Sequence, residues 1–426
     1  MKVTVSPGAV RGDVYAIPSK SHLHRLLILA ALADKQTLLR CGHTQAEDIK
    51  ATIDCLLALG AVIKRQEDSF AVTPIDRNRL PERPETCILP CMESGSTLRF
   101  MLPVVCALGV HGEFHMSGRL PQRPLAPLDE QLTAHGVRLS RPSPEVLRCE
   151  GKLIPGEFSL PGNISSQYIT GLLLALPLLG SASILNVTGP VESEDYIAMT
   201  LNAARIFGVV PHISQNRYRI PGGGFVSPGT AEVEGDWSNA AFWLCAGAMP
   251  GGDVRLHGLK RKSTQGDREI CAILEQMGAQ VEWQGDALRI SEGTRRAVEI
   301  DARAIPDLVP VLAAVAAVSE GVTIVKNASR LRLKESDRLT ATAETLNALG
   351  AKVTEEADGL RIEGAPKLQG GTVDAWGDHR IAMMAAVAAA ACENPVTITG
   401  AQAVNKSYPA FWDELAGLGV DAAVTI

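Results

Sequence analysis

The sequence predicts a mixed α/β (α+β) protein built from six similar units, because it contains a repeat, two kinds of helix and short strand-like stretches. Six times along the chain, an amphipathic helical segment ends in an apolar residue or histidine, followed by glycine and then alanine or valine. Glycine just past a helix end adopts the left-handed conformation at low cost, and a strand-like alternation follows it. These glycines are 69 to 76 residues apart and are Gly60, Gly136, Gly208, Gly278, Gly350 and Gly419.

A second helical segment lies upstream in each repeat and is apolar on nearly every side, as in LVPVLAAVAAV (308–318). A helix without a polar face is expected to be buried all round. Short β-rich stretches, such as LRIS (288–291) and GLRIEG (359–364), complete each unit. Units of this length exceed the ~20–50 residues of solenoid repeats. The apolar helices are predicted to begin near Ser21, Ser96, Ser166, Ser238, Asp307 and His379.

Composition and charge exclude several functional classes. The chain has 426 residues, 46% apolar and 21% charged, so a large core can form and disorder is disfavoured. A net charge of −6 and an aromatic content of 4% argue against nucleic-acid binding. The longest apolar runs are shorter than the ~18 residues of a membrane span. The first residues lack the apolar core of a secretory signal, and nine scattered cysteines indicate reduced thiols, so a cytoplasmic location is expected.

Basic residues cluster at the starts of the apolar helices, where the helix dipole disfavours cations by about 0.3–1 kcal/mol. They are Lys20 and Arg25, Arg99, and Arg380. Each alone could extend its charge to solvent or pair with a carboxylate. Four in equivalent places indicate an anionic ligand where these helix ends meet. The neighbouring serines have hydroxyls suited to phosphate or carboxylate oxygens, although serine is also a common N-cap.

The stretch RLRLKESDRL (330–339) has the highest density of charge in the chain. In one interpretation it is a solvated helix start, in which Lys334 and Arg338 repel each other and Asp337 offsets the repulsion. In the other, an acid/base carboxylate lies beside cations that hold an anionic substrate. The residues alone leave both interpretations open.

Nine segments in order along the whole chain resemble the enolpyruvyl transferase family, and within it the branch that acts on shikimate 3-phosphate. Any one segment is a weak signal, but one or two in each repeat make a strong one. The segments are PSKSHLHR (18–25), ESGSTLRF (93–100), GRLPQRP (118–124), GNISSQY (162–168), EGDWSNAAF (234–242), IPDLVP (305–310), LKESDRL (333–339), GDHRIAM (377–383) and NKSYPAFWDEL (405–415).

The resemblance implies two pseudo-threefold domains, each of three βαβαββ-like units with helices packed inside sheets, as in an inside-out α/β barrel. One domain would comprise residues 19–233, with the SSQ triplet. The other would comprise residues 1–18 plus 234–426, with the KESDR, GDHR and NKS motifs. Two crossovers, near Ile17–Ser19 and Ala231–Gly235, would form the hinge, and the active site would lie in the cleft between the domains.

The activity that the resemblance implies is transfer of the enolpyruvyl group of phosphoenolpyruvate to the 5-hydroxyl of shikimate 3-phosphate, with release of phosphate, by addition and elimination. This is a step of the shikimate pathway to chorismate and the aromatic amino acids. A monomer that acts on small molecules, with no cofactor and no metal, is expected. Two substrates with several negative charges need cations to offset their repulsion.

The site residues are carried over from the matching motifs. Lys20, Asp307 and Glu335 are expected to share the proton transfers as general acids and bases, without a fixed division of roles. The residues expected to bind shikimate 3-phosphate are Lys20, Ser21, Arg25, Ser165, Ser166, Gln167, Ser193, Tyr196, Asp307 and Lys334. The residues expected to bind phosphoenolpyruvate are Lys20, Gly95, Arg123, Gln167, Arg338, Arg380 and Lys406.

This chain departs from the family pattern at three positions: Glu93 replaces a usual asparagine, Ser96 replaces a usual threonine, and Arg330 lies where an asparagine often contacts shikimate 3-phosphate. The closest alternative is a UDP-N-acetylglucosamine enolpyruvyl transferase. That branch has lysine–asparagine near its start and a reactive cysteine in the loop that here reads GRLPQRPLAP. This chain has Lys20–Ser21 and no cysteine between Cys106 and Cys149. A non-catalytic repeat scaffold would explain the six units but not the charged residues at the helix starts.

Overall fold

The computed structural model describes residues 1–82 and 86–425, and the chain divides into two compact units. One unit comprises Met1–Ile17 with Glu234–Ile426, and the other comprises Pro18–Val233. The chain therefore passes from one unit to the other twice, after residue 17 and after residue 233.

The helices of the described residues alternate between two kinds along the chain. The apolar kind is α1, α3, α5, α7, α9 and α11, and the amphipathic kind follows each of them. Their bounds are α1 (Lys20–Leu32), α2 (Glu47–Ala58), α3 (Gly95–Leu108), α4 (Leu128–Ala134), α5 (Ser166–Ala175), α6 (Glu194–Ile206), α7 (Trp237–Ala248), α8 (Ile270–Gln276), α9 (Val309–Ala316), α10 (Arg338–Ala348), α11 (His379–Ala388) and α12 (Phe411–Gly417).

The strands are short. Their bounds are β1 (Lys2–Val5), β2 (Arg11–Tyr15), β3 (Thr37–Arg40), β4 (Val62–Gln66), β5 (Ser69–Thr73), β6 (Cys87–Met92), β7 (Gly112–Met116), β8 (Val137–Ser143), β9 (Val146–Gly151), β10 (Glu157–Pro161), β11 (Ser183–Thr188), β12 (His212–Ser214), β13 (Arg217–Ile220), β14 (Thr230–Glu232), β15 (Asp253–His257), β16 (Gln280–Gln284), β17 (Ala287–Ser291), β18 (Glu299–Asp301), β19 (Val322–Lys326), β20 (Lys352–Glu356), β21 (Gly359–Glu363), β22 (Gly371–Asp374), β23 (Val396–Thr399) and β24 (Ala422–Thr425).

These strands form four-stranded sheets, three in each unit, and all of them have the same pattern. In the sheet β6–β7–β9–β8, the first two strands are parallel and the other two neighbouring pairs are antiparallel. The apolar helix connects the two parallel strands, as a parallel pair requires, and the amphipathic helix leads to a hairpin. The predicted βαβαββ repeat is therefore confirmed.

At each passage of the chain between the units, the last strand before the passage pairs within the unit that the chain leaves. Strand β2, which precedes α1 in sequence, pairs in parallel with β15 of its own unit. Strand β14, which precedes α7, pairs in parallel with β3. Each of these two sheets therefore includes a strand that is far away along the chain. Strand β1 does the same in a third sheet, where it lies between β23 and β24.

The apolar helices form the core of each unit. Every residue of α9 is buried, and α7 is buried except at Ser238. Each large apolar side chain removed from water in this way contributes about 1.5–3 kcal/mol. The sheets by contrast expose one side, as the alternating burial of β7 and β10 shows. The predicted arrangement of helices inside sheets is confirmed, and it leaves mainly the ends of these helices near solvent.

Five of the six apolar helices are capped at their starts by side chains, whereas α9 has no side-chain cap. Ser19, Ser94 and Ser165 each accept a hydrogen bond from a backbone N–H of α1, α3 and α5, and Asp236 and Asp378 do the same for α7 and α11. The amphipathic helices end as predicted, because the six repeat glycines have positive φ angles between 80° and 99°. Within the described residues, no helix combines the length and the apolar character needed to cross a bilayer.

Candidate active site

The residues 18–233 bring one group of predicted site residues together at the N-terminal ends of α1, α3, α5 and α6. We call this group the serine-rich group; it comprises Lys20, Ser21, Arg25, Gly95, Arg123, Ser165, Ser166, Gln167, Ser193 and Tyr196. The structure adds Asp48 and Arg99 to it, through the contacts described below.

Lys20 in the first turn of α1 is held by a carboxylate. Its Nζ lies 2.7 Å from Asp48 Oδ2, and both side chains are largely shielded from water. The carbonyl of Asp48 also accepts a hydrogen bond from the Thr97 hydroxyl at 3.3 Å, so α2 connects the starts of α1 and α3. The ion pair keeps Lys20 in one position despite its unfavourable place in the helix dipole.

Arg25, one turn further along α1, is 2% exposed. Its Nε donates to the Thr200 hydroxyl at 2.8 Å, and its two Nη atoms donate to the carbonyls of Ser21 and Tyr196 at 2.5 and 3.1 Å. Burial lowers the pKa of Arg25 to about 10, so it still has its charge at neutral pH. Arg25 therefore fixes the backbone of two predicted substrate-binding residues through uncharged hydrogen-bond acceptors.

Two arginines lie against Gly95 at the start of α3. A Cβ atom built on Gly95 would lie 2.6 Å from Arg99 Nη1 and 2.7 Å from Arg123 Nη1. Arg99 also donates to Gln167 Oε1 at 3.1 Å, and Gln167 Nε2 donates to the Ser96 hydroxyl at 3.0 Å. The predicted residues Gly95, Arg123 and Gln167 thus lie together, and the absence of a side chain at Gly95 makes room for both guanidinium groups.

Two serines of this group have distinct features: Ser165 caps α5, and Ser193 has an unusual backbone conformation. Ser165 accepts from the backbone N–H of Gln167 at 3.3 Å, which is the N-cap role that its sequence position also allowed. This bond uses an oxygen lone pair and leaves the hydroxyl hydrogen able to donate. Ser193 lies at the start of α6 with a φ of 54°, in the left-handed region that non-glycine residues seldom adopt.

The unit made of residues 1–17 and 234–426 brings the remaining predicted residues together. We call this group the carboxylate group; it comprises Asp307, Lys334, Glu335, Arg338, Arg380 and Lys406, and the structure adds Asp378. Lys406 is buried at the end of a 3-10 turn (Ala401–Lys406) that contacts α11, the helix of Arg380.

Arg338 is at the centre of this group and is 1% exposed. It donates to Asp307 Oδ1 at 2.7 Å, to Glu335 Oε2 at 2.8 Å and to Asp378 Oδ2 at 2.8 Å. Although burial opposes its charge, these three carboxylates raise the pKa of Arg338 above its ordinary value. The solvated-surface interpretation is therefore wrong for Arg338. Asp337 does not offset its charge, since Asp337 caps α10 and pairs with Arg332 at 3.1 Å.

The cations keep the buried carboxylates ionised. Burial disfavours the charge of Asp307, but Arg380, Lys334 and Arg338 outweigh it and hold its pKa well below the ordinary value. Burial likewise opposes ionisation of Asp378, and Arg338 lowers the pKa of Asp378 to about 2. For Lys334 burial prevails over the attraction of Asp307, so its pKa is lowered.

Arg380 joins the start of α11 to two other apolar helices. Its Nη1 donates to the backbone carbonyl of Asp307 at 2.9 Å, and its Nη2 donates to the Ser238 hydroxyl of α7 at 2.6 Å. The Arg380 Nη2 atom also lies 3.4 Å from Asp307 Oδ2. The starts of α7, α9 and α11 are thereby brought together around Arg380, the basic residue of this unit that the sequence placed at the start of an apolar helix.

Sequence reasoning missed the partners that position the cations: Asp48, Ser238 and Asp378. Two of them have a recognisable local signal, because Asp378 occupies an N-cap position and Asp48 lies in the first turn of a helix. Neither signal identifies the partner, since Asp48 is 28 residues from Lys20 and Asp378 is 40 residues from Arg338.

Chemically, the two groups provide cations, helix N-termini and ionised carboxylates. Among the residues named, the serine-rich group has four cations (Lys20, Arg25, Arg99 and Arg123) and one carboxylate, Asp48. Such a surplus of positive charge beside serine hydroxyls suits phosphate and carboxylate ligands. The carboxylate group has anionic acceptors for a hydroxyl proton next to guanidinium groups that can bind an anion.

Known proteins resemble this chain along its whole length. A family model described as EPSP synthase (3-phosphoshikimate 1-carboxyvinyltransferase) matches residues 5–415. A 3-phosphoshikimate 1-carboxyvinyltransferase of Clostridium acetobutylicum is 41% identical over 422 residues, which cover 98% of this chain and 97% of that protein. One from Clostridium kluyveri is 39% identical over 419 residues, with coverage of 98% and 97%.

Solved structures show the same fold. An EPSP synthase from Acinetobacter baumannii matches with a TM-score of 0.79 and 26% identity, over 99% of this chain and 100% of that one. The enolpyruvyl transferase NikO from Streptomyces tendae has a TM-score of 0.77 at 19% identity, over 100% and 98% of the two chains, and supports the fold alone.

The family match and the two relatives near 40% identity extend over nearly the whole chain, as does the order of its motifs. The chain therefore belongs to the EPSP synthase (3-phosphoshikimate 1-carboxyvinyltransferase) family.

Proposed function

We propose that the serine-rich group and the carboxylate group together bind and activate the two substrates of the family's reaction. The enzyme transfers the enolpyruvyl group of phosphoenolpyruvate to the 5-hydroxyl of shikimate 3-phosphate and releases phosphate, in the shikimate pathway. The observation that carries the proposal is the gathering of Lys20, Arg25, Arg99 and Arg123 with serine hydroxyls at four helix starts.

Shikimate 3-phosphate would bind mainly to the serine-rich group. The hydroxyls of Ser165 and Ser166 lie at the start of α5, where the helix dipole also favours an anion. Ser193 and Tyr196 extend the phosphate contacts from α6, and Ser21 and Arg25 hold the region of the carboxylate. Because Arg25 bonds the carbonyls of Ser21 and Tyr196, it would align both residues before the substrate arrives.

Phosphoenolpyruvate would be held by Gly95, Arg123 and Gln167 of one unit and by Arg338, Arg380 and Lys406 of the other. Lys20 would contact both substrates. Arginine binds phosphate and carboxylate through paired N–H groups, so three arginines suit a ligand that has both anions. The contact of Arg123 with Gly95 supports its placement close to the α3 start.

The proton transfers would be shared by Lys20, Asp307 and Glu335. The 5-hydroxyl must lose a proton as its oxygen attacks C2 of the enol, while C3 gains one. In the second stage C3 loses a proton, the double bond forms again and phosphate leaves from C2. Asp307 is suited to orient the hydroxyl, since its low pKa keeps it an anionic acceptor at neutral pH. Lys334 would bind the shikimate hydroxyls beside Asp307, from which its Nζ is 3.5 Å away.

We also propose a monomer in the cytoplasm that needs no cofactor or metal. The cysteines support the location: all nine lie in the described residues, none forms a disulfide, and eight are buried. Reduced thiols are typical of cytoplasmic proteins. The UDP-N-acetylglucosamine alternative is not favoured, because the relatives that this chain resembles are 3-phosphoshikimate 1-carboxyvinyltransferases.

The test is phosphate release from phosphoenolpyruvate with shikimate 3-phosphate or UDP-N-acetylglucosamine as acceptor. Release with shikimate 3-phosphate alone is expected. Release with the UDP-sugar alone would contradict the assignment of shikimate 3-phosphate as the acceptor. Release with neither acceptor would contradict the proposed transferase activity. Lys64→Met, at an exposed position of β4, is a control that should keep full activity.

A further inference from the structure

Asp267 is a buried carboxyl group that the proposed reaction does not use. It lies in a single 3-10 turn (Gly266–Glu269) and is 3% exposed. Its Oδ1 atom is shielded from water and has no hydrogen-bond partner among the described residues. An unsatisfied carboxylate oxygen in such a place is costly, so its retention calls for a physical reason.

The turn that contains Asp267 is fixed against the start of α7. Gln265 Oε1 accepts from the backbone N–H of Trp237 at 3.1 Å, and its Nε2 donates to the carbonyl of Gly235 at 2.8 Å. Ser263 Oγ accepts from the N–H of Gln265 at 3.1 Å. The two bonds of Gln265 hold the residue just before the turn against the start of α7, so they restrict where Asp267 can lie relative to that helix start.

Through α7, Asp267 is connected to Arg380. The Ser238 hydroxyl of α7 lies near enough to the Asp267 carboxyl group to lower its pKa, and that hydroxyl accepts from Arg380 Nη2 at 2.6 Å. Since the bond from Arg380 uses an oxygen lone pair, the single hydrogen of Ser238 stays free to be donated to a nearby acceptor such as the Asp267 carboxylate. Arg380 in turn reaches Asp307, so Ser238 and Arg380 connect the start of α7, against which the turn of Asp267 is held, with the carboxylate group.

We propose that Asp267 is a positioning residue for phosphoenolpyruvate binding, which holds Arg380 through Ser238 and takes up a proton from solvent when the anionic substrate binds beside Arg380. This inference depends on the role proposed above for Arg380. Asp267 need not touch the substrate, because it acts on the orientation and the net charge around that guanidinium group.

The charges around Asp267 favour such a proton uptake. Burial, and next the negative charge of Asp307, raise the pKa of Asp267 to about 7, against the lowering effects of Arg380 and Ser238. Asp236, the N-cap of α7, adds a further negative charge. A bound anion at Arg380 would offset the cation that favours ionised Asp267. The pKa of Asp267 should then rise, so that binding and protonation support each other near neutral pH.

The experiment compares wild-type enzyme, Asp267→Asn and Asp267→Glu from pH 6.0 to 8.5, measuring KM for phosphoenolpyruvate at saturating shikimate 3-phosphate. Asparagine imitates the protonated carboxyl group and can still accept from Ser238. The ratio of KM at pH 8.5 to KM at pH 6.0 should therefore be lower in Asp267→Asn, by at least about threefold, which corresponds to half a pKa unit. Asp267→Glu should restore part of the pH dependence. Asp286→Asn, in an exposed turn, is the matched control and should follow the wild type.

Two further measurements separate positioning from titration. Ser238→Ala should raise KM for phosphoenolpyruvate by about tenfold at every pH, since it removes a bond to a charged group, and should change KM for shikimate 3-phosphate less. The second measurement is made without substrates. As the pH rises from about 4 to about 7, the wild type should lose stability relative to Asp267→Asn, so the difference between the melting temperature of the variant and that of the wild type should increase. The reason is that a carboxyl group with a raised folded pKa loses stability over that window.

Parallel pH profiles of wild type and Asp267→Asn, or a difference in melting temperature that stays constant from pH 5 to pH 7.5, would overturn this inference. In either case the wild type would still transfer the enolpyruvyl group, so the proposed function would stand. A wild type that releases no phosphate at any pH would instead overturn the proposed function. Reduced expression of Asp267→Asn does not decide the question, because Ser238→Ala must still shift KM for phosphoenolpyruvate if the connection exists.

Discussion

Arg338 and Asp378 form a forked ion pair in the core of their unit. Arg338 Nε lies 2.8 Å from Asp378 Oδ2, and Arg338 Nη2 lies 3.2 Å from Oδ1. The same carboxylate caps α11 by accepting from the backbone N–H of Arg380 at 2.9 Å. One acidic side chain thus positions two arginines that we assign to phosphoenolpyruvate, one by a direct ion pair and the other through the helix start.

The first prediction is that Asp378→Asn destabilises the enzyme by about 1.5–3 kcal/mol, the usual loss for a buried hydrogen bond to a charged group. Asparagine still caps α11, so the loss reports the charge partner of Arg338. Urea unfolding at pH 7 measures it. Asp253→Asn breaks a half-exposed pair with Arg289 and should cost no more than about 1 kcal/mol. Equal losses in the two variants would show that the buried pair has no special weight.

The second prediction is that Gly95→Ala weakens phosphoenolpyruvate binding while the fold is kept. The added methyl group would lie within 3 Å of Arg99 and Arg123 and must displace these flexible side chains. We expect KM for phosphoenolpyruvate to rise by about tenfold, since a charge-assisted contact is worth about 1.5–3 kcal/mol. Gly180→Ala is the control, because nothing lies within 4 Å of its Cβ position. An unchanged KM for phosphoenolpyruvate in Gly95→Ala would show that Arg123 does not contribute to binding this substrate.

The third prediction concerns acid sensitivity. His24 is buried in α1, where its Nδ1 lies 2.7 Å from the Thr52 hydroxyl, and burial lowers its pKa to about 3. Between about pH 6.5 and about pH 3, His24 binds a proton in the unfolded chain but stays neutral in the folded protein. The free energy of unfolding therefore decreases as the pH falls from about 6.5 toward 3. Well below 6.5 this contribution approaches about 1.4 kcal/mol per pH unit.

His24→Gln should therefore make the free energy of unfolding less dependent on pH between 6.5 and 4.5, as measured by urea titration at several pH values. His43→Gln, at an exposed loop position, should leave the wild-type dependence in place. A His24→Gln profile parallel to that of the wild type would mean that His24 titrates normally in the folded protein.

Sequence patterns predicted the local features well, because they arise from neighbours along the chain. The positive φ of the six repeat glycines and the burial of α7 and α9 follow from periodicity within one helix. Side-chain pairs did not follow in this way. For Arg338 the adjacent Asp337 was the obvious partner, but the start of α10 directs Asp337 to its own N–H groups and to Arg332. Glu335, three residues before Arg338, is one actual partner, but the other two, Asp307 and Asp378, come from two other helix starts that only the folded chain brings together.

The fourth prediction is that Lys20→Met or Glu335→Ala lowers turnover at least about a hundredfold, the lower range for loss of an acid/base group. Lys20 is largely shielded from water beside Asp48, and Glu335 bonds Arg338, so each variant also leaves a charge with one partner fewer. Unfolding curves check that the fold remains. Lys64→Met and Glu356→Ala, both on exposed strand positions, should retain turnover. Near-normal rates in Lys20→Met and Glu335→Ala would remove their proposed roles.

The fifth prediction is that two substrate-site ligands together stabilise the enzyme more than the sum of each alone. Residues that we assign to each substrate come from both units, so occupation of one site would order residues that the other ligand also needs. A ligand that binds only the folded state raises its stability by RT ln(1 + [L]/Kd), and coupling makes the second Kd smaller.

Melting curves with shikimate 3-phosphate, with inorganic phosphate in place of phosphoenolpyruvate, and with both ligands measure the effect without turnover. Asp378→Asn should reduce the stabilisation beyond the sum of the two single-ligand shifts, because it weakens the hold on Arg338 and on the start of α11. Strictly additive shifts in the wild type would show that the two sites bind their ligands independently.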